Sequence, residues 1–235
     1  MIDAGICGTK PDVRGMKGSS PSSLLNFRNE VMIRIPLDYE PTINEVRKYL
    51  NSWKENEDAN DKELALNKLF YELCPENKDI RDILIKCSTL NDFYSTNIFD
   101  IHSVAKHILE LRIDERLKAG DLNLVKDIAK VEVGNPPKER NFYSFATKYC
   151  SHHQPDKYAI YDSYVEKILM DFKKRGDKFS DFKLDDLKKY DRYMQVIYDF
   201  RNHYGLGQFT IKELDQYLWQ LGKKYFNQYV RSDNR

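Results

Sequence analysis

The chain has 235 residues, with 38 Lys and Arg against 37 Asp and Glu, for a net charge of +1. Hydrophobic residues make up 41% and charged residues 32%, and the mean hydropathy is −0.69. This balance suits a globular chain with a full core, excludes a wholly basic nucleic-acid binder, and confines any nucleic-acid surface to a local patch. No stretch approaches the ~18 apolar residues of a membrane span. Residues 1–17 lack the apolar core of a secretory signal, so a cytoplasmic protein without a membrane partner is expected. Cys7, Cys74, Cys87 and Cys150 form no CxxC pair, which argues against a zinc ribbon, an iron–sulfur cluster or a disulfide framework.

Residues 1–23 are rich in Gly, Pro and Ser and read as a flexible leader. Residues 24–235 read as a single all-α domain of roughly eight to ten helices, divisible into two lobes, 24–97 with the C-terminal helices and 98–175. Thr42-Ile43-Asn44-Glu45 is a capping box opening a helix through Leu50 and Trp53. Leu66, Leu69, Phe70 and Leu73 repeat at helical spacing, as do Ile80, Ile83, Leu84 and Cys87. Asp100 can cap one long helix that carries Ile101 to Leu111, and then Leu117, before Gly120 ends it. A shorter helix covers Leu122 to Lys130, and Gly134-Asn135-Pro136-Pro137 breaks the chain.

After that break, Phe142, Phe145, Ala146, Tyr149 and His153 share a helical face until Gln154-Pro155-Asp156. Asp162 caps the next helix, Tyr193 to Phe200 mark another, and Thr210-Ile211-Lys212-Glu213 is a second capping box. Alternating runs long enough for a sheet are almost absent, and Trp53 and Trp219 read as core. There is no phosphate-cradling glycine loop, G-x-S-x-G elbow, kinase set or H-E-x-x-H. Cys150, His152 and His153 do not place three ligands on one helical face, so neither a metal nor another cofactor is expected.

The informative run is Asn141 to Cys150, followed by a turn and then Tyr158 to Val165. It places an Asp at a helix start, where free amides and the helix dipole favour negative charge, among large apolar and aromatic neighbours. Such a carboxylate can act as a base or stabilise a developing positive charge, and it can equally be a plain helix cap.

Ser144-Phe145-Ala146 and Ala159-Ile160-Tyr161-Asp162 resemble the K/S-x-A and [IV]-x-D elements of the helix-hairpin-helix DNA glycosylase superfamily, which contains endonuclease III and adenine DNA glycosylase. The Ser and the Asp stand eighteen places apart, and the motif match covers residues 138–165. The resemblance implies an all-α fold and a glycosylase that hydrolyses the N-glycosidic bond of a damaged or modified base in duplex DNA. Base flipping would precede the cut. Asp162 would be the catalytic carboxylate. Ser144, where bifunctional members carry a Schiff-base Lys, implies a monofunctional enzyme. Tyr143 and Tyr161 would shape the base pocket, and Arg140, Asn141 and Lys148 would hold phosphate. Lys148, four places after Ser144, is also open to reading as a displaced amine nucleophile. Lys138 to Tyr143, where the family hairpin has its glycines, contains none. Two other readings stand beside this one: a non-catalytic DNA-binding domain of the same fold, and an α-helical protein-interaction domain. The sequence leaves open the base, the oligomeric state, and a role in DNA repair or in phage defence.

Overall fold

The structure is a computed structural model, and residues 35–227 are described. The leader expected over residues 1–23 lies outside them. All described residues fall in one compact unit.

Ten α-helices account for most of that unit. Thr42 opens α1 (Ile43–Glu55) by accepting from the Glu45 N–H, and Asn56 does the same for α2 (Glu57–Asn67) through Ala59. A π-helical turn, Lys68–Leu73, continues α2. Asp79 caps α3 (Ile80–Tyr94), and Asp100 caps α4 (Ile101–Leu111). The single long helix expected after Asp100 is two helices. Arg112 adopts a left-handed conformation (φ 49°), and α5 (Asp114–Ala119) starts afresh with Asp114 and Glu115 in its first turn, where the helix dipole favours them. Gly120 closes α5 at φ 72°.

After α6 (Asn123–Ala129) comes an element that sequence reading did not anticipate. Strands β1 (Lys130–Val133) and β2 (Lys138–Asn141) form an antiparallel hairpin that pairs Val131 with Arg140. Its turn contains Gly134 at φ 85°, whose N–H donates to the Asp100 carboxylate. Lys138 to Tyr143, the run without glycines, passes from β2 into the next helix, and β2 is exposed throughout.

Helix α7 (Tyr143–His153) follows, and every residue from Phe145 to His153 is buried. A helix apolar on every face would need only packing. This one also carries Thr147, Lys148, Ser151, His152 and His153 into the interior, so these side chains need polar partners. Asp162 caps α8 (Ser163–Lys174) by accepting from the Tyr164 N–H at 2.8 Å. A 3-10 turn (Leu184–Lys188), α9 (Tyr190–His203) and α10 (Ile211–Phe226) complete the unit, and α10 opens on the full Thr210–Glu213 capping box. No helix among the described residues is long and apolar enough to cross a membrane.

Helices α8 and α10 approach so closely that only glycine fits at 222. A Cβ there would lie 2.7 Å from the Tyr164 Cβ and carbonyl oxygen. Gly222→Ala must push the helices apart, at about 1–3 kcal/mol. For a domain of this size, calorimetry should then record a melting temperature lower by several degrees, roughly 2–4 °C per kcal/mol. An unchanged melting temperature would show that α10 shifts without strain.

Candidate active site

Between α7 and α8 the chain runs extended without joining a sheet, so its backbone groups need other partners. Side chains supply them. The Ala159 N–H meets Met194 Sδ, and the Tyr190 hydroxyl donates to the Ala159 carbonyl. The Ile160 N–H donates to Asp215 Oδ2 at 2.7 Å, and the Tyr193 hydroxyl donates to the Ile160 carbonyl at 2.6 Å. The Tyr161 N–H donates to Thr147 Oγ1 at 3.1 Å. The Tyr161 carbonyl accepts from Ser144 Oγ at 3.1 Å and from Lys148 Nζ at 3.3 Å. The two sequence elements singled out by spacing are thus stitched directly to each other, with Asp162 as the next residue.

Beside this clamp lies a cavity of about 300 Å³. Lys148, His152, Ile160, Asp162, Val165 and Asp215 form its floor; Trp53, Phe93, Tyr94 and Trp219 form an aromatic wall. Trp53 and Trp219 meet edge to face at 5.6 Å. Glu63 ties three helices around the rim. It accepts from Trp53 Nε1 and Gln216 Nε2, both at 2.7 Å, and faces Lys212 Nζ at 3.5 Å.

Lys148 is 2% exposed, with its amine 2.6 Å from Ser144 Oγ and over the Tyr94 ring at 5.2 Å. Burial lowers its pKa to about 8, against the opposing pull of Asp162 and Asp215. No ion pair holds it among the described residues, so the amine sits on neutral oxygens and faces the cavity. Burial likewise raises the Asp215 carboxyl to about 8, opposed by the Ile160 N–H, Lys212 and Lys148. His152 is held neutral by burial and pairs with the Tyr94 hydroxyl at 2.9 Å. His153 turns away toward Asn77 and Lys86.

Several expectations need correction. Lys148 lines the cavity and is 2% exposed, rather than standing on an open surface as a phosphate contact would. Tyr143 and Tyr161 do not line the cavity. Their rings pack on each other at 4.8 Å, and their hydroxyls donate to the Leu187 carbonyl and to Glu166. The aromatic wall comes instead from Trp53 and Trp219, which helical periodicity had placed in the core. Ser144 contacts the lysine amine and stands behind it rather than on the cavity lining. Arg140 and Asn141 are exposed on β2. Asn141 also borders a second recess of about 350 Å³ with Tyr143, Lys126, Lys130, Lys188 and Lys189. Asp215 went unnoticed because in sequence it is one polar residue on an amphipathic helix; only the fold shows that it is 5% exposed.

In protein carrying ¹³C-methylated lysines, the Lys148 resonance should titrate near 8, well below the ordinary 10.5. Lys148→Arg would assign it against Lys86, which burial also lowers to about 8. Asp162→Asn removes the Asp162 charge that raises Lys148, so the midpoint should fall further. A midpoint near 10 would mean that the amine is solvated.

The HI_0787_N family model, described as an N-terminal domain, matches residues 45–157. An uncharacterized protein of Haemophilus influenzae is 52% identical over 148 residues, covering 63% of this chain and 69% of its own. No solved structure matches. The matched domain carries Trp53, Phe93, Tyr94, Lys148 and His152, whereas Asp162, Asp215 and Trp219 lie beyond it. The chain belongs to the family of that Haemophilus influenzae protein, with its HI_0787_N domain at residues 45–157.

Proposed function

We propose that the protein is a DNA N-glycosylase acting on a damaged or modified base, with Lys148 as nucleophile and Asp162 as the carboxylate that stabilises the sugar. The supporting observation is the convergence of a buried lysine amine of lowered pKa and the helix-capping Asp162 on one aromatic-walled cavity. Chemistry at a base inside a duplex requires its extrusion, and a pocket faced by Trp53, Phe93, Tyr94 and Trp219 suits a flat heterocycle.

The neutral Lys148 amine attacks C1′, and the glycosidic bond breaks with its electron pair leaving on the base. Positive charge building on the sugar in that transition state is stabilised by the Asp162 carboxylate. The attached amine then gives one proton to the departed base, and as the C1′–O4′ bond breaks with its electron pair on O4′ a second proton passes from the nitrogen to O4′, leaving an imine between Nζ and C1′. This departs from the monofunctional enzyme that Ser144 implied. The reason is geometric: Ser144 Oγ stands 2.6 Å from the Lys148 amine, so the amine is delivered from one helical turn further along α7. The exposed Arg140 and Asn141 on β2, with the lysines of the neighbouring recess, would take the phosphates, and each such contact adds salt dependence to binding.

The test uses duplexes bearing uracil, alkylated, oxidised or hypermodified bases, with chemical cleavage of abasic sites and borohydride trapping. One duplex should yield abasic sites together with a covalent protein–DNA adduct, and Lys148→Met should abolish the adduct. Asp162→Asn should slow excision by roughly 10²–10³-fold, the usual worth of a charge-stabilising group. Because only the neutral amine attacks and its pKa is about 8, the rate should rise with pH, roughly tenfold between pH 7 and pH 9. No abasic site from any duplex would overturn the proposal.

A further inference from the structure

We infer that Asp215 is the specificity-determining residue of the cavity, where its free Oδ1 receives a ring N–H donor on the hydrogen-bonding edge of the bound heterocycle. The inference rests on the glycosylase reading for the ligand being a nucleobase; the hydrogen-bond polarity it assigns comes from Asp215 alone.

The two carboxylate oxygens of Asp215 have different surroundings. Oδ2 is committed to the Ile160 N–H at 2.7 Å. Oδ1 is inaccessible to bulk water and has no hydrogen-bond partner among the described residues. The residue is 5% exposed and lines the cavity. A buried acceptor left open is rare and costly in a packed protein, and a partner supplied by a ligand is one way to satisfy it. Neighbouring polar groups leave this acceptor alone. Gln216 and Lys212 are engaged with Glu63, and the Lys148 amine with Ser144 and Tyr161. Asp215 lines a space bounded by aromatic rings, where a planar ligand stacks and only its edge can reach a polar group, and a small turn of the carboxyl would bring Oδ1 to that edge.

Above its midpoint of about 8, where it is ionised, a carboxylate in that place accepts and does not donate. It favours a lactam or imide N–H, as on inosine N1 or uridine N3, and penalises the same ring with a methyl group there. Specificity of this kind is strong because a mismatched ligand leaves the buried group unpaired. Asp215→Asn inverts the polarity without changing the shape. Asparagine has one oxygen, the Ile160 N–H retains it, and the amide NH₂ is then turned toward the ligand N–H.

The chain contains two tryptophans, both in the cavity wall, so their fluorescence reports occupancy. The wild-type protein would be titrated at pH 8.5, above the Asp215 midpoint of about 8 and below the ionisation of the nucleoside ring N–H, with inosine and 1-methylinosine, and with uridine and 3-methyluridine. At least one N–H nucleoside should quench fluorescence with at least tenfold higher affinity than its N-methyl counterpart, and Asp215→Asn should abolish that difference. Equal affinities in the wild type, no quenching by any nucleoside, or a difference that survives Asp215→Asn would each overturn the inference. The wild-type comparison needs no variant, so a poorly folding Asp215→Asn does not shelter the claim. Discrimination without excision from any duplex would remove the enzyme and leave Asp215 as the reader of the edge. Excision without discrimination would remove this inference alone.

Discussion

The structure depends on an extended segment that has no sheet. From Ala159 to Tyr161 each backbone N–H and C=O is bonded by a side chain from α7, α9 or α10. Sheet strands satisfy one another through a repeating ladder, and removing one rung leaves the rest. Here each bond is made by a different residue, and losing any of them leaves a backbone group without a partner in the interior. The arrangement fixes the direction in which the chain enters α8, and hence the position of Asp162. It also gives Asp215 and Lys148, both on the cavity lining, a structural duty, so the scaffold and the site share residues.

Helix α7 shows how similar chemistry can serve separate ends. Two lysines are buried near it, and burial lowers both to about 8. Lys86 from α3 sits among the Cys74 and Glu76 carbonyls and Asn77 Oδ1, at 2.6 to 3.0 Å, closing the end of the π-helical turn. Its donors are spent on chain that would otherwise end with unsatisfied carbonyls, and it lines neither the aromatic-walled cavity nor the recess beside Asn141. Lys148 holds the Ser144 hydroxyl and the Tyr161 carbonyl, yet borders open space beside Asp162 and Asp215. The lowered pKa is therefore no mark of function by itself. Access to a cavity separates the amine a ligand could meet from the structural one.

The helical scaffold was legible because its signals are local. Thr42, Asp100, Asp162 and Thr210 cap where their spacing to the following residues says they should. The break at Arg112 was not legible, since an arginine in a left-handed conformation carries no sequence mark. The hairpin was missed because β1 is four residues long and its partner, Lys138–Asn141, has no apolar residue to alternate. At the site, the spacing of Ser144 and Asp162 located the clamp, but it assigned the wrong residues to the wall. Tyrosines near the motif looked like a stacking surface, yet the rings facing the cavity come from α1, α3 and α10, far away in sequence. Periodicity tells which face of a helix turns inward. Whether the interior there is packed or hollow depends on how helices meet, and a single helix does not encode that.

The buried charges also bear on the stability of the whole domain. Asp215 has a folded pKa raised from 3.8 to about 8, so between those values the folded state holds a proton that the unfolded chain releases. Stability from this group therefore declines as pH rises from about 4 to 8. For Lys86 and Lys148 the folded pKa falls from 10.5 to about 8, and between those values the unfolded chain binds more protons. Their contribution improves as pH rises from about 8 to 10.5. The two trends meet near pH 8, where these groups together weigh most heavily against folding. That is also where half of the Lys148 population is neutral. A cavity that holds a buried amine without a bound counter-charge is one the fold must tolerate, and the clamp around residues 159–161 supplies the bonds that let it do so.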